Sequence, residues 1–245
     1  MSRHALLAGC VAAALVGTLG FAQAAVAQEE EDPCAAPPPG AIVGTDGSEL
    51  LLGTPGPDVI VAKGGDDLVV AHGGDDVICG GLGSDRILAG DGNDLVAADD
   101  LGFFRDPNAP GGADIVVAGP GDDEVLAGPG DDIVDGGPGM DFLPLAQGDD
   151  IGSGGPGDDT VIGGFGVDTL SGGPGADFLA GGQNSDRIEA GPGDDTLVGD
   201  IPSPEIGLPP IPDPTPNVDV CNGSAGFDTS FLCEQNSAVE SIDPT

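Results

Sequence analysis

Between residues 49 and 197 one large aliphatic side chain returns every nine positions. The series is Leu51, Ile60, Val69, Ile78, Ile87 and Val96, then Val116, Val125, Val134, Leu143, Val161, Leu170, Leu179, Ile188 and Leu197, and Gly152 is the one break in it. Each stands at the centre of a three-residue segment such as Thr160-Val161-Ile162, and six residues rich in glycine and aspartate separate the segments. Such a segment predicts a short strand whose middle side chain faces one way and whose neighbours face the other. The six-residue spacer predicts a tight turn, where the backbone visits φ > 0 and approaches a ligand closely. The aliphatic column is the expected core.

An acid precedes each column position by two residues. These acids are Glu49, then Asp58, Asp67, Asp76, Asp85 and Asp94, and, after a step of 20, Asp114, Asp123, Asp132, Asp141, Asp150, Asp159, Asp168, Asp177, Asp186 and Asp195. With the glycines, blocks such as GGPGADFLA (172–180), GGPGDDTVI (154–162) and AGPGDDEVL (118–126) read G-G-x-G-x-D-x-U-x, where U is the aliphatic residue. In this the chain resembles the haemolysin-type (RTX) calcium-binding nonapeptide repeat family, over residues 44–200 and faintly over 217–233.

The resemblance implies an all-β fold, a right-handed parallel β-roll or β-solenoid in which two nonapeptides make one coil. It also implies Ca2+ as cofactor, held between stacked turns by backbone carbonyls and by the aspartates of repeats i and i+2. All fifteen periodic aspartates are therefore candidate metal ligands. Counted within each run, the pairs number four before the step of 20 and eight after it. Calcium suits these donors, since it takes roughly six to eight oxygens from carboxylates and peptide carbonyls alike, whereas magnesium demands near-ideal octahedral geometry. The adjacent acids Asp66, Asp75, Asp122, Asp131, Asp149, Asp158 and Asp194 read as a solvated face. Asn184, Lys63 and His72 replace turn glycines and are expected to weaken their sites.

Composition calls for a cation. The chain has 245 residues with 46 glycines, no tryptophan or tyrosine, and a formal charge of −38. It lacks the large side chains of an ordinary globular core, and a charge of this size opposes compaction. Carboxylates on neighbouring rungs, about 4.8 Å apart, repel by roughly 3 to 4 kcal/mol at an effective dielectric near 20. Burial of one aliphatic side chain returns only about 1.5 to 3 kcal/mol. Halophilic adaptation would scatter acids without requiring glycines around each. The charge makes nucleic acid and anionic membrane surfaces poor partners.

Residues 1–27 predict a secretory signal: Arg3, an apolar run from Ala5 to Phe21, and Ala25-Val26-Ala27 before an acidic stretch. Leu7-Ala8-Gly9-Cys10 matches a lipoprotein box in letters, but cleavage there would leave too short an apolar core. The expected product is secreted or extracellular, with no membrane span in the mature chain and cell-surface association open. Its four cysteines, Cys34, Cys79, Cys221 and Cys233, read as two disulfides, with Cys34–Cys79 and Cys221–Cys233 the favoured pairing of three. Cys79 takes the ninth repeat position, which points away from the core, so an N-terminal strap could reach it. Zinc is disfavoured, because no C-x-x-C pair exists and His72 is the one mature histidine.

The expected organisation is signal 1–27, strap 28–43, first repeat block 44–97, insertion 98–110, second block 111–200, proline-rich loop 201–216, and a degenerate repeat with cap over 217–245. The step of 20 reads as one 18-residue coil plus two, an aberrant half-turn that Phe103 and Phe104 could plug. No nucleophile, base and orienting group fall together, so the chain is not expected to be an enzyme. The role suggested is a calcium-binding structural or surface module. The alternative is an adhesin or self-associating protein that uses outward residues such as Leu68, Val70, Leu88, Ile115, Val117, Phe142 and Phe178.

Overall fold

The computed structural model describes residues 33–99, 111–200, 220–223, 229–231 and 235–237. All their regular structure is strand, in two parallel sheets of eleven and ten strands. The chain alternates between the sheets, so successive strands of one sheet belong to successive coils, as a right-handed β-roll requires. The larger sheet carries strands of up to six residues, such as Val59–Gly64 and Thr160–Phe165; the smaller carries three-residue strands such as Leu68–Val70 and Thr169–Ser171.

The coil length is 18 residues, since Ile60 pairs with Ile78 and Leu170 with Ile188. Across the insertion Ile87 pairs with Val116 and Val96 with Val125, a separation of 29 residues that is retained in the acid ladder. This corrects the sequence reading. The step of 20 from Asp94 to Asp114 is one nine-residue half-coil with eleven residues added, not a coil plus two. Asp99 and Gly111 are the described residues on either side of the insertion, and strand pairing passes from one side to the other without a slip. A one-residue slip would turn every buried side chain outward, so the aliphatic column holds the register. Ile87, Val96, Val116 and Val125 are all fully buried, and the core needs no plug at this point. Phe103 and Phe104, the signal at 1–27 and the proline-rich loop at 201–216 lie outside the described residues.

The aliphatic column forms the core as expected, but it has a second component. The first residue of many turns, among them Ala62, Ala71, Ala89, Ala98, Ala118, Ala127 and Ala190, is fully buried beside it. Leu145 occupies this usually small position at the coil where Gly152 breaks the column. A Cβ on Gly152 would lie 2.9 Å from both Leu145 Cδ1 and Val161 Cγ1, so Leu145 fills from the corner the space left by Gly152. Further on, Ile188 pairs with Cys221 and Thr196 with Thr229, so the roll resumes after the second excursion with Cys221 in the core column.

Cys34 and Cys79 form a disulfide with 5.7 Å between their Cα atoms, which ties the strap to the second coil. Cys79 faces away from the core as expected, yet it is only 4% exposed. Cys221 is disulfide-bonded; its expected partner Cys233 lies outside the described residues.

Candidate metal-binding turns

Each nonapeptide contributes a turn at positions 1 to 5, the periodic acid at position 6 and the strand at 7 to 9. Positions 2 and 4 adopt positive φ, as at Gly155 (109°) and Gly157 (155°). A Cβ on either would collide with the carbonyl oxygen one coil earlier, of Gly137 or Gly139 respectively, so the turns stack backbone on backbone. Lys63, His72 and Asn184 hold the same left-handed conformation at φ 81–83°, and the turn keeps its shape where the sequence departs from glycine.

This stacking gathers the candidate aspartates into two columns, one along each edge where the sheets meet. Asp67, Asp85, Asp114, Asp132, Asp150, Asp168 and Asp186 form one; Asp58, Asp76, Asp94, Asp123, Asp141, Asp159, Asp177 and Asp195 form the other. In both, the N–H of one aspartate donates to Oδ1 of the aspartate one coil later at 2.7–2.9 Å, from Asp58 to Asp76 and from Asp67 to Asp85 up to Asp186 and Asp195. The ladder crosses the insertion through Asp85–Asp114 and Asp94–Asp123. Counting pairs within separate runs therefore missed two.

Oδ1 is satisfied and Oδ2 is not. In every periodic aspartate from Asp67 to Asp177, Oδ2 is buried and has no hydrogen-bond partner. A buried carboxylate oxygen left in this state is costly. Burial foremost, opposed by the backbone hydrogen bond and aided by neighbouring acids, pushes Asp114, Asp123, Asp141, Asp150, Asp168 and Asp177 up to about 7 and Asp132 to about 8. Asp76, Asp85 and Asp159 rise to about 6 for the same leading reason, and Asp67 and Asp94 also move up.

The first coil is built differently. Thr45 holds position 2; its N–H donates to Glu49 Oε2 at 2.9 Å and its hydroxyl to Oε1 at 2.8 Å. Thr54 holds the same position one half-coil later and donates its N–H to Asp58 Oδ2. Neither threonine has positive φ. In later coils the position-2 N–H is directed elsewhere, as where Gly137 donates to the Gly154 carbonyl at 2.9 Å. Sequence reading had no signal for this, because a threonine at position 2 looks like one more departure from glycine.

The fifth-position acids are exposed, as expected of a solvated face, and they also bridge coils. Asp66 Oδ1 accepts from Ser84 N–H, Asp131 Oδ1 from Asp149 N–H and Asp158 Oδ1 from Ala176 N–H. Among the described residues no three His, Cys, Asp or Glu side chains converge on one point. A cation between these turns must therefore draw on backbone carbonyls as well as carboxylates. Bare buried oxygens beside stacked peptide planes are donors of the hard kind that calcium prefers.

A family model described as the RTX calcium-binding nonapeptide repeat (4 copies) matches residues 43–78, 73–100, 111–143, 146–179 and 171–201. No curated protein matches the chain.

Proposed function

Because this chain belongs to the RTX calcium-binding nonapeptide repeat family, we propose that it is an exported structural module whose inner coils order around a row of Ca2+ ions at each edge. The supporting observation is the ladder of buried Oδ2 atoms without partners. The proposed carboxylate ligands begin at Asp67 in one column and Asp76 in the other and run to Asp186 and Asp195; the turn carbonyls complete the shell. Asp58, a candidate from sequence, already accepts a hydrogen bond from Thr54 and closes the end of its column. Bound calcium supplies the positive charge that the columns lack, and a ligand selective for the folded chain stabilises it by RT ln(1 + [L]/Kd) per site. Calcium equivalents measured by equilibrium dialysis, alongside circular dichroism with and without chelator, test the proposal. Multiple bound equivalents and a β signal that depends on them are expected; an unchanged β signal in metal-stripped protein would overturn it.

One observation favours a second role, association with a partner. The outer face of the smaller sheet exposes Leu50, Leu52, Leu68, Leu88, Ile133 and Ile151, interrupted by Arg86 and Asp135, whereas the same face further along carries Thr169, Arg187 and Glu189. Apolar patches of this kind mark interaction sites. Light scattering on calcium-loaded protein separates the readings: a monomer at high concentration argues against self-association through this face.

A further inference from the structure

Asp99 is a buried carboxylate that the nonapeptide does not call for. It holds position 2 of its nonapeptide, in a column whose other members are Lys63, Gly81, Gly128, Ala146, Gly164, Gly182 and Asp200. Its coil is the one from which the eleven-residue insertion departs. Asp99 is 3% exposed, and its Oδ2 has no hydrogen-bond partner. Oδ1 accepts one long bond, from Gly112 N–H at 3.3 Å. The bare oxygen is directed into the space between two glycine turns. A Cβ on Gly128 would lie 2.7 Å from it, and a Cβ on Gly111 would collide with both it and the Pro129 carbonyl. The acids whose charge bears on it most are Asp114, then Asp132 and Asp85, all of one column. Among the described residues no cationic side chain offsets it.

A capping role accounts for Oδ1 alone, and a hydrophobic role is foreign to a carboxylate. The remaining oxygen is a hard donor held beside the turns that carry Asp114 and Asp132. We propose that Asp99 is an additional calcium ligand, supplied from outside the repeat register, which makes the site between those turns more acidic and tighter than the periodic aspartates alone would. Ligand charge is one of the quantities that set calcium affinity, and here the added charge enters where the chain departs into the insertion. This inference rests on the calcium-binding reading above and deepens it at one site.

The test is calorimetric titration of the metal-stripped full chain with CaCl2, for wild type, Asp99→Asn and Asp158→Asn. Asp158 is the charge-matched control, an exposed acid in another coil. Wild type is expected to show one equivalent bound at least tenfold more tightly than the rest. Asp99→Asn should lose that class and keep the others, and Asp158→Asn should retain it. An isotherm for Asp99→Asn that superimposes on wild type would overturn the inference while leaving the wider reading intact; failure of wild type to bind calcium at all would remove both. Should Asp99→Asn not order in calcium, Asp99→Glu preserves the charge and displaces the oxygens: one equivalent altered in affinity supports the assignment, and none altered overturns it.

Discussion

The first coil and the coils that follow share one nonapeptide plan and satisfy its acid in opposite ways. In the first, Thr45 and Thr54 turn their N–H groups onto Glu49 and Asp58, so the turn closes on its own carboxylate. From Lys63 and His72 onward position 2 takes positive φ in the described turns other than that of Asp99, the donor is lost to the acid, and each periodic Oδ2 from Asp67 to Asp177 is left bare. The difference teaches that need for a cation is not a property of the aspartate. It is set four residues earlier, by whether the backbone at position 2 offers its N–H or withdraws it.

Calcium removal is the harshest way to probe this contrast. Hydrogen exchange on metal-stripped protein should show amide protection over 111–200 falling by at least about a thousandfold, or about 4.1 kcal/mol, with a smaller fall over 44–61, where Thr45 and Thr54 already close on the acids. Equal losses in both regions would erase the distinction. Next in size is the tie itself. The Cys34–Cys79 bond closes a loop over a sequence separation of 45, and its replacement by two serines should cost about 4 kcal/mol on the chain-entropy model. The loss should appear in urea unfolding, with the number of calcium equivalents unchanged.

Acidity provides a third, graded probe. Inner aspartates that burial raises to about 6 to 8 hold protons in the folded, metal-free chain at pH values where the unfolded chain has released them. Metal-free stability should therefore be greatest near and below about pH 4, the ordinary aspartate value, and fall as pH rises through 6 to 8. Urea midpoints of metal-stripped protein at pH 5 and pH 8 check the sign; a higher midpoint at pH 8 would contradict it. The smallest effect expected is from Thr54→Gly, which allows position 2 of the first coil to adopt the inner conformation. Loss of one hydrogen bond to a charged group costs about 1.5 to 3 kcal/mol, partly recovered in calcium, and dialysis should register an added weak equivalent.

Much of this architecture is legible in the sequence. The aliphatic period predicted the core column, and the acid period predicted the two ladders, because both follow from residues that recur in phase. Other features were hidden for physical reasons. A step of 20 is compatible with 18 plus two or nine plus eleven, and only stacking of Ile87 on Val116 decides between them. Alanine at position 1 looks like a tolerated glycine until its burial is seen. Gly152 reads as a defect, although Leu145 fills its space from another segment. Leu145→Ala should cost about 2 to 5 kcal/mol, and adding Gly152→Val should recover part of it, which melting of the calcium-loaded single and double variants would reveal. Asp99 falls in the insertion by sequence because it is out of phase with the periodic acids, and only its burial beside Gly111 and Gly128 returns it to the turns.

The parallel stack also dictates how order spreads. Each rung touches only the rung on either side, so ordering runs along one dimension like the slider of a zipper. The threonine-closed rung, already complete without metal and next to the rung stitched to the strap, is the stop from which that slider starts. Each later rung then locks against a finished neighbour instead of having to nucleate alone.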